Sequence, residues 1–369
     1  MADSRIANLA KILVHYSTKI EPGDQVAVTG HAIAEPLLLE IYREILRAGG
    51  HPNMLTRMSG TDYIFYSEAN EEQLKYVSPM QKMAIEEFDA LIQLYSGTNT
   101  KSLTNVDPVK QQISAQAQGE LFQKYMERTA SGELDWVIAM YPTPAYAQDA
   151  EMSLQELEDY VYSTTYADTD DPVARWNEIH DEQQRLVDWL EGKKQVVVKG
   201  PSVDLALSIE GRPFINSDGR NNMPSGEIFT SPVENSINGW IKFTYPAILR
   251  GREVSGIEIH LKDGRVEKAT AAKNEDFLIA MLDTDEGARG VGEFAIGTNK
   301  RINRFIKNIL FDEKIGGTIH MAFGAGFPEC NSKNVSAIHW DMICEMRDGG
   351  KIFVDDELFY DSGEFVVDR

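Results

Sequence analysis

The chain has 369 residues, 25% of them charged and 42% hydrophobic, the proportions of a soluble globular protein with room for two domains of ordinary size. Its formal net charge of -22 disfavours a nucleic-acid partner, because phosphate binding needs a basic face. Cys330 and Cys344 make no CxxC spacing, no apolar run approaches the roughly 20 residues of a membrane span, and Met1 to Arg5 opens no signal peptide, so a cytoplasmic protein with reduced thiols is expected.

Residues 5–18 carry Ile6, Leu9, Ile12, Leu13 and Tyr16 at helical spacing. The turn Pro22-Gly23-Asp24 precedes a strand from Gln25 to Thr29, and a helix from Glu35 to Arg47 closes at Gly49-Gly50. Asn53 to Thr56, Ala90 to Leu94 and Trp136 to Met140 read as further strands, separated by helical segments. Strands alternating with helices predict a largely parallel α/β sheet. Gly30 stands alone after the first strand, with neither GxGxxG nor a P-loop, so no nucleotide is assigned to this part.

Residues 150–192 are polar and helix-rich, and a domain boundary is expected at 192. The reading is therefore an N-terminal parallel α/β sheet domain, 1–192, serving assembly and the substrate chamber, followed by a β-rich α+β catalytic domain, 193–369. Short strands are predicted at Gln195 to Lys199, Asp204 to Ile209, Gly239 to Thr244, Gly256 to Leu261 and Arg265 to Ala271, with a hairpin turn at Lys262-Asp263-Gly264-Arg265. Helices are predicted at about 275–282 and 301–309.

The second half holds the groups that carry chemistry. His339 and Asp341 are two residues apart, so on a strand from Ile338 to Ile343 they project from one face. A carboxylate among Ala337, Ile338, Met342 and Ile343 needs a partner, and a metal ion is one. His320 follows Gly316-Gly317, Glu293 follows Gly292, and Glu227 follows Pro224-Ser225-Gly226. Taken singly, each of these is an ordinary structural residue. Together they form a carboxylate and imidazole set suited to zinc, manganese, cobalt or iron, with more ligands than one catalytic ion needs. That number suggests two ions and hydrolysis. His15, His31, His51, His180 and His260 read as structural, and neither GxSxG nor HExxH occurs.

Over nearly its whole length the chain resembles the M29 metallopeptidases, the aminopeptidase T and aminopeptidase S group. The resemblance runs through Tyr16-Ser17-Thr18, Pro22-Gly23-Asp24, Ala34-Glu35-Pro36 and Arg47 to Pro52. It continues in Tyr141-Pro142-Thr143, Asn222 to Thr230, Thr284 to Arg289 and Asn308 to Glu313. It implies a dinuclear aminopeptidase centre of two divalent ions (zinc, cobalt or manganese) held by Glu227, Glu293, His320, His339 and Asp341. Glu293 would bridge, Glu227 would serve as ligand or base, and a homodimer enclosing its sites would admit short peptides. One position departs: where the family has a tyrosine seven residues after the first histidine, this chain has Phe327, a candidate pocket residue. Two alternatives stand beside this reading. One is a mononuclear Fe(II) ring-cleaving dioxygenase of dihydroxypyridine type on the same fold, using His320, His339 and Asp341. The other is a metal- or peptide-binding homologue without turnover.

Overall fold

Val26, Ala27 and Val28 are all buried, the pattern of a parallel strand covered on both faces. In the computed structural model, which describes residues 3–249 and 251–367, they lie in the strand Gln25–His31. That strand belongs to a five-stranded sheet ordered His51–Arg57, Gln25–His31, Ala90–Tyr95, Asp135–Met140, Asn222–Met223, with every pairing parallel. The helix Glu35–Ala48 links the first two strands in sequence; Pro36 opens it and Gly49, at φ 91°, closes it in the left-handed conformation. Its buried face is Leu37, Leu38, Ile41 and Ile45. Gly30 has a packing role, since a Cβ there would lie 3.2 Å from Leu94 Cβ on the neighbouring strand.

The chain forms two compact units, Met1–Trp176 with Gly219–Pro224, and Asn177–Asp218 with Ser225–Arg369. The division falls inside the helix Pro172–Leu190 rather than after it at 192. A run of helix-forming residues carries no mark of where one core ends and the next begins.

Among its described residues the second unit contains two large antiparallel sheets and a two-stranded antiparallel ribbon, Ala247–Leu249 with Arg252–Val254. The larger has eight strands, ordered Arg265–Thr270, Glu258–Lys262, Asn238–Lys242, Val203–Ser208, Gln195–Gly200, Lys351–Val354, Glu357–Asp361, Glu364–Phe365. The smaller has five, ordered His339–Glu345, Thr318–Gly324, Val291–Gly297, Glu227–Thr230, Ile215–Ser217. Side chains of both share one apolar core. Val198, Leu205, Ile241 and Ile259 come from the larger sheet; Ile228, Phe294, Ile296, Met321, Phe323, Trp340 and Met342 come from the smaller. Phe294 is fully buried in this core, so Phe294→Ala is expected to lower stability by about 3–5 kcal/mol. Urea unfolding followed by tryptophan fluorescence checks it.

One predicted helix is absent. Residues 301–308 form an irregular loop, and only Ile309–Asp312 closes a helical turn, capped by Asn308. Polar side chains take the backbone groups a helix would have used. Asp312 accepts from the N–H groups of Ile306 and Asn308, both at 2.7 Å, and Asn299 accepts from the Arg301 N–H at 3.1 Å.

Candidate active site

Strand alternation sorts the smaller sheet into two faces. Ile228, Phe294, Ile296, Met321, Phe323, Trp340 and Met342 take the core face. The residues between them, Glu227, Glu293, His320, His339 and Asp341, therefore take the other. Register then brings them together across four strands. Ala322 pairs with Glu293 on one side and Asp341 on the other, so a methyl group separates two carboxylates. His320 lies between Ala295 and Ile343, His339 is opposite Gly324, and Glu227 is opposite Gly297.

Close backbone approach holds this geometry. Gly324 has φ 108°, and a Cβ on it would lie 2.1 Å from Ile338 O. The neighbouring Ala325 then reaches the His339 strand twice, donating its N–H to Ile338 O at 2.7 Å and accepting from His339 Nδ1 at 2.8 Å. A carbonyl only accepts, so Nδ1 carries a proton and Nε2 faces the acids. Nε2 lies 3.2 Å from Glu293 Oε2 and 3.4 Å from Asp341 Oδ1. His320 Nε2 lies 3.4 Å from Glu227 Oε2 and 3.7 Å from Glu293 Oε1. Glu293 thus turns one oxygen to each imidazole.

Two residues beyond the sequence-derived set complete the cluster, Glu313 and Lys314. The loop pinned by Asp312 leads directly into them. Donor atoms of Glu313, His320 and Asp341 lie within 4.8 Å of one another, as do those of Glu293, His339 and Asp341. Asp341 belongs to both groups. Lys314 is fully buried, with Nζ in contact with Glu313 Oε1 and 3.5 Å from Glu227 Oε1. Glu313 follows an aspartate inside the Asn308 to Glu313 segment; an acidic pair in an apolar run was the available signal. Gln183, also buried, supports the edge of the site by donating to Asn216 Oδ1 at 2.6 Å and to Glu227 O at 3.3 Å, while accepting from Thr298 Oγ1 at 2.7 Å.

The electrostatics are those of a cation site. Burial pushes Glu293 up, but hydrogen bonds and charge from His320 and His339 outweigh it and hold the carboxyl far below its ordinary range. Burial lowers His320, yet Glu293, Glu227 and Asp341 push it up to about 9. His339 is raised well above its ordinary value, burial being overcome by Asp341 and Glu293. Burial raises Glu313 to about 7 against the opposing charge of Lys314. Among the described residues, the buried atoms Glu227 Oε2, Asp341 Oδ1 and His320 Nδ1 make no hydrogen bond. Buried carboxylate oxygens without a hydrogen bond, facing imidazole nitrogens, fit divalent metal ions with nitrogen and oxygen ligands.

Phe327 flanks the cluster. Its ring centroid lies 5.1 Å from that of His339 and 5.0 Å from that of Phe229. Its N–H donates to Ser231 Oγ at 3.0 Å, and that hydroxyl donates to Gly292 O at 2.6 Å, next to Glu293. Other histidines have carboxylate partners elsewhere: His15 contacts Glu44 at 2.9 Å, His180 contacts Asp218 at 2.7 Å, and His260 contacts Glu258 at 2.9 Å.

Comparison with known proteins finds relatives over nearly the whole chain. Residues 2–365 match the family described as thermophilic metalloprotease (M29). Aminopeptidase 2 of Geobacillus stearothermophilus is 27% identical over 352 residues, covering 88% of this chain and 84% of the relative. The structure of wild-type AmpT from Thermus thermophilus superposes with a TM-score of 0.85 at 23% identity, covering 98% of this chain and 99% of that one. The 2,5-dihydroxypyridine dioxygenase of Pseudomonas putida KT2440 shares the fold at a TM-score of 0.60 and 13% identity, covering 98% of this chain and 97% of that one.

Proposed function

The chain belongs to the thermophilic metalloprotease family M29, and from that membership we propose that it is a metal-dependent aminopeptidase releasing N-terminal residues from short peptides. The observation that carries this reading is Glu293, which offers Oε1 to the His320 side and Oε2 to the His339 side. A carboxylate so arranged suits a bridge between two divalent ions. In the proposal, His339, Asp341 and Glu293 would hold one ion, while His320, Glu227 and Glu313 would hold the other, with Glu293 and Asp341 facing both. Bound there, zinc, cobalt or manganese would supply Lewis-acid polarisation of the scissile carbonyl and a more acidic water. The residues' own part is positional. Ala325 O orients the His339 ring, Gln183 fixes the start of the Glu227 strand, and Phe327 covers one side of His339. The names of the relatives support the substrate class. The dioxygenase alternative uses His320, His339 and Asp341 alone and leaves Glu227, Glu293 and Glu313 without a role at an ion.

The testing experiment is metal analysis of purified protein with a screen of aminoacyl chromogenic substrates. Release that chelation abolishes and zinc, cobalt or manganese restores is the expected result. Metal-loaded protein that cleaves none of them, yet consumes oxygen with a dihydroxypyridine in the presence of Fe(II), would overturn the peptidase reading.

A pH dependence follows. In the metal-free protein His320 holds its proton up to about pH 9, and His339 is raised as well. Ligation needs the neutral imidazole, so zinc binding at about pH 7 should release protons, and apparent affinity should rise with pH until His320 titrates. Calorimetry in two buffers of different ionisation enthalpy measures the proton count.

The proposed working form is a cytoplasmic homodimer, in keeping with the acidic, cysteine-poor composition. Among the described residues no helix is long and apolar enough to cross a membrane. Light scattering that reads a monomer at assay concentration would remove the enclosed chamber from the proposal.

A further inference from the structure

Lys314 places a positive charge inside the metal cluster. Its side chain is 0% exposed, its Nζ contacts Glu313 Oε1, and Glu227 Oε1 is 3.5 Å away. An ammonium taken wholly out of water persists only where carboxylates compensate it. Here each glutamate gives it one oxygen. What remains for an ion on that side is the second oxygen of each, with His320 and the shared Asp341. The opposite side is different. The ion pairs of Glu293 and Asp341 are with the imidazoles His320 and His339, and His339 is already oriented by Ala325 O. Two carboxylates and an aligned imidazole meet there, whereas the ammonium forms its ion pairs with Glu313 and Glu227.

We infer that Lys314 makes the two metal positions unequal: an ion binds tightly among Glu293, His339 and Asp341, and weakly among Glu227, Glu313 and His320, where the lysine already supplies one positive charge. The inference rests on the metallopeptidase reading and adds to it a built-in difference between the positions. Repulsion between an ammonium and a divalent ion a few ångströms apart in a buried site is large enough to separate the two affinities about tenfold or more. Activity would then follow the free metal concentration in the range of the weaker constant.

The test is titration of chelator-stripped full-length protein with Zn²⁺ or Co²⁺ alone, read by calorimetry and by metal content after desalting into metal-buffered solution. Wild type should retain one equivalent, with the second bound at least about tenfold more weakly or not detected. Lys314→Met should tighten the second equivalent about tenfold or more and leave the first unchanged, while Lys314→Arg should keep the wild-type pattern. Lys314→Gln, which keeps hydrogen-bond donors without charge, replaces the methionine variant if that one does not fold. The wild-type measurement needs no variant at all. Two equal equivalents in wild type overturn the inference and leave the metallopeptidase reading standing, and so does an unchanged gap on neutralising Lys314. Protein that binds no divalent ion in any form overturns both.

Discussion

Asp341→Ala is expected to yield a folded protein with at least about 10²-fold less peptidase activity, since even outer-shell supports of metal sites contribute 10–100-fold. Asp341 belongs to both ligand groups, so its loss removes a donor from each position. His339→Ala should act in the same direction through one position. Neither change opens the apolar core. Both side chains lie on the face of the sheet opposite Trp340 and Met342, and the backbone pairing of the two strands needs neither. In chelator, Asp341→Ala also relieves crowding among buried carboxylates, so its thermal midpoint should stay within about 4 °C of wild type. Activity against aminoacyl substrates and thermal unfolding in chelator measure the two quantities on one preparation. A large fall in thermal stability, with unchanged specific activity in the folded fraction, would mark the pair as structural.

How much of this centre was legible in the sequence follows from where each residue sits. His339 and Asp341 are two apart on one strand, and alternation alone puts them on one face with Trp340 turned to the core. Glu293 directly follows Gly292, and Gly324 lies four residues after His320; both glycines are places of close backbone approach, a Cβ on either meeting backbone oxygen at 2.0 and 2.1 Å. The pairing of Ala322 with both acids was not legible, because register depends on a bulge between Val291 and Glu293 that spacing does not announce. Glu313 and Lys314 were missed for a different reason. The pattern at 301–309 predicts a helix, whereas Asp312 folds the chain back by accepting two backbone N–H groups. A carboxyl that burial pushes up to about 8 organises that loop, and the loop delivers the acid and the lysine. The alternating strands and helices of the first unit were legible from apolar periodicity. The contribution of Asn222–Met223 to its sheet was not, since a two-residue strand pairing with Ile138 and Ala139 has no periodicity to read.

Phe327→Tyr tests whether the centre lacks a donor or has been rebuilt without one. The expected result is a rise in kcat with nearly constant KM. A single oxyanion donor contributes about 10²–10³ in rate, so a hydroxyl regained at this position should recover about tenfold or more. The surroundings favour a functional effect over a packing effect. The Phe327 ring meets His339 edge-on at an interplanar angle of 64°, and its N–H is tied through Ser231 to the carbonyl before Glu293. The backbone that aims the ring is therefore fixed by the same strand that supplies the proposed bridging carboxylate, and one added oxygen does not have to reorganise it. Crowding is the competing effect, because Phe229 lies 5.0 Å from the ring. Overpacking typically costs about 1–3 kcal/mol of stability, whereas a donor acting in the transition state leaves stability alone. Thermal unfolding beside the kinetics separates them. A gain in kcat at unchanged stability supports the missing hydroxyl. No gain with lowered stability means that Phe229, Phe327 and His339 form an apolar wall the substrate now packs against, and that carbonyl activation in this chain rests on the metal ligands alone.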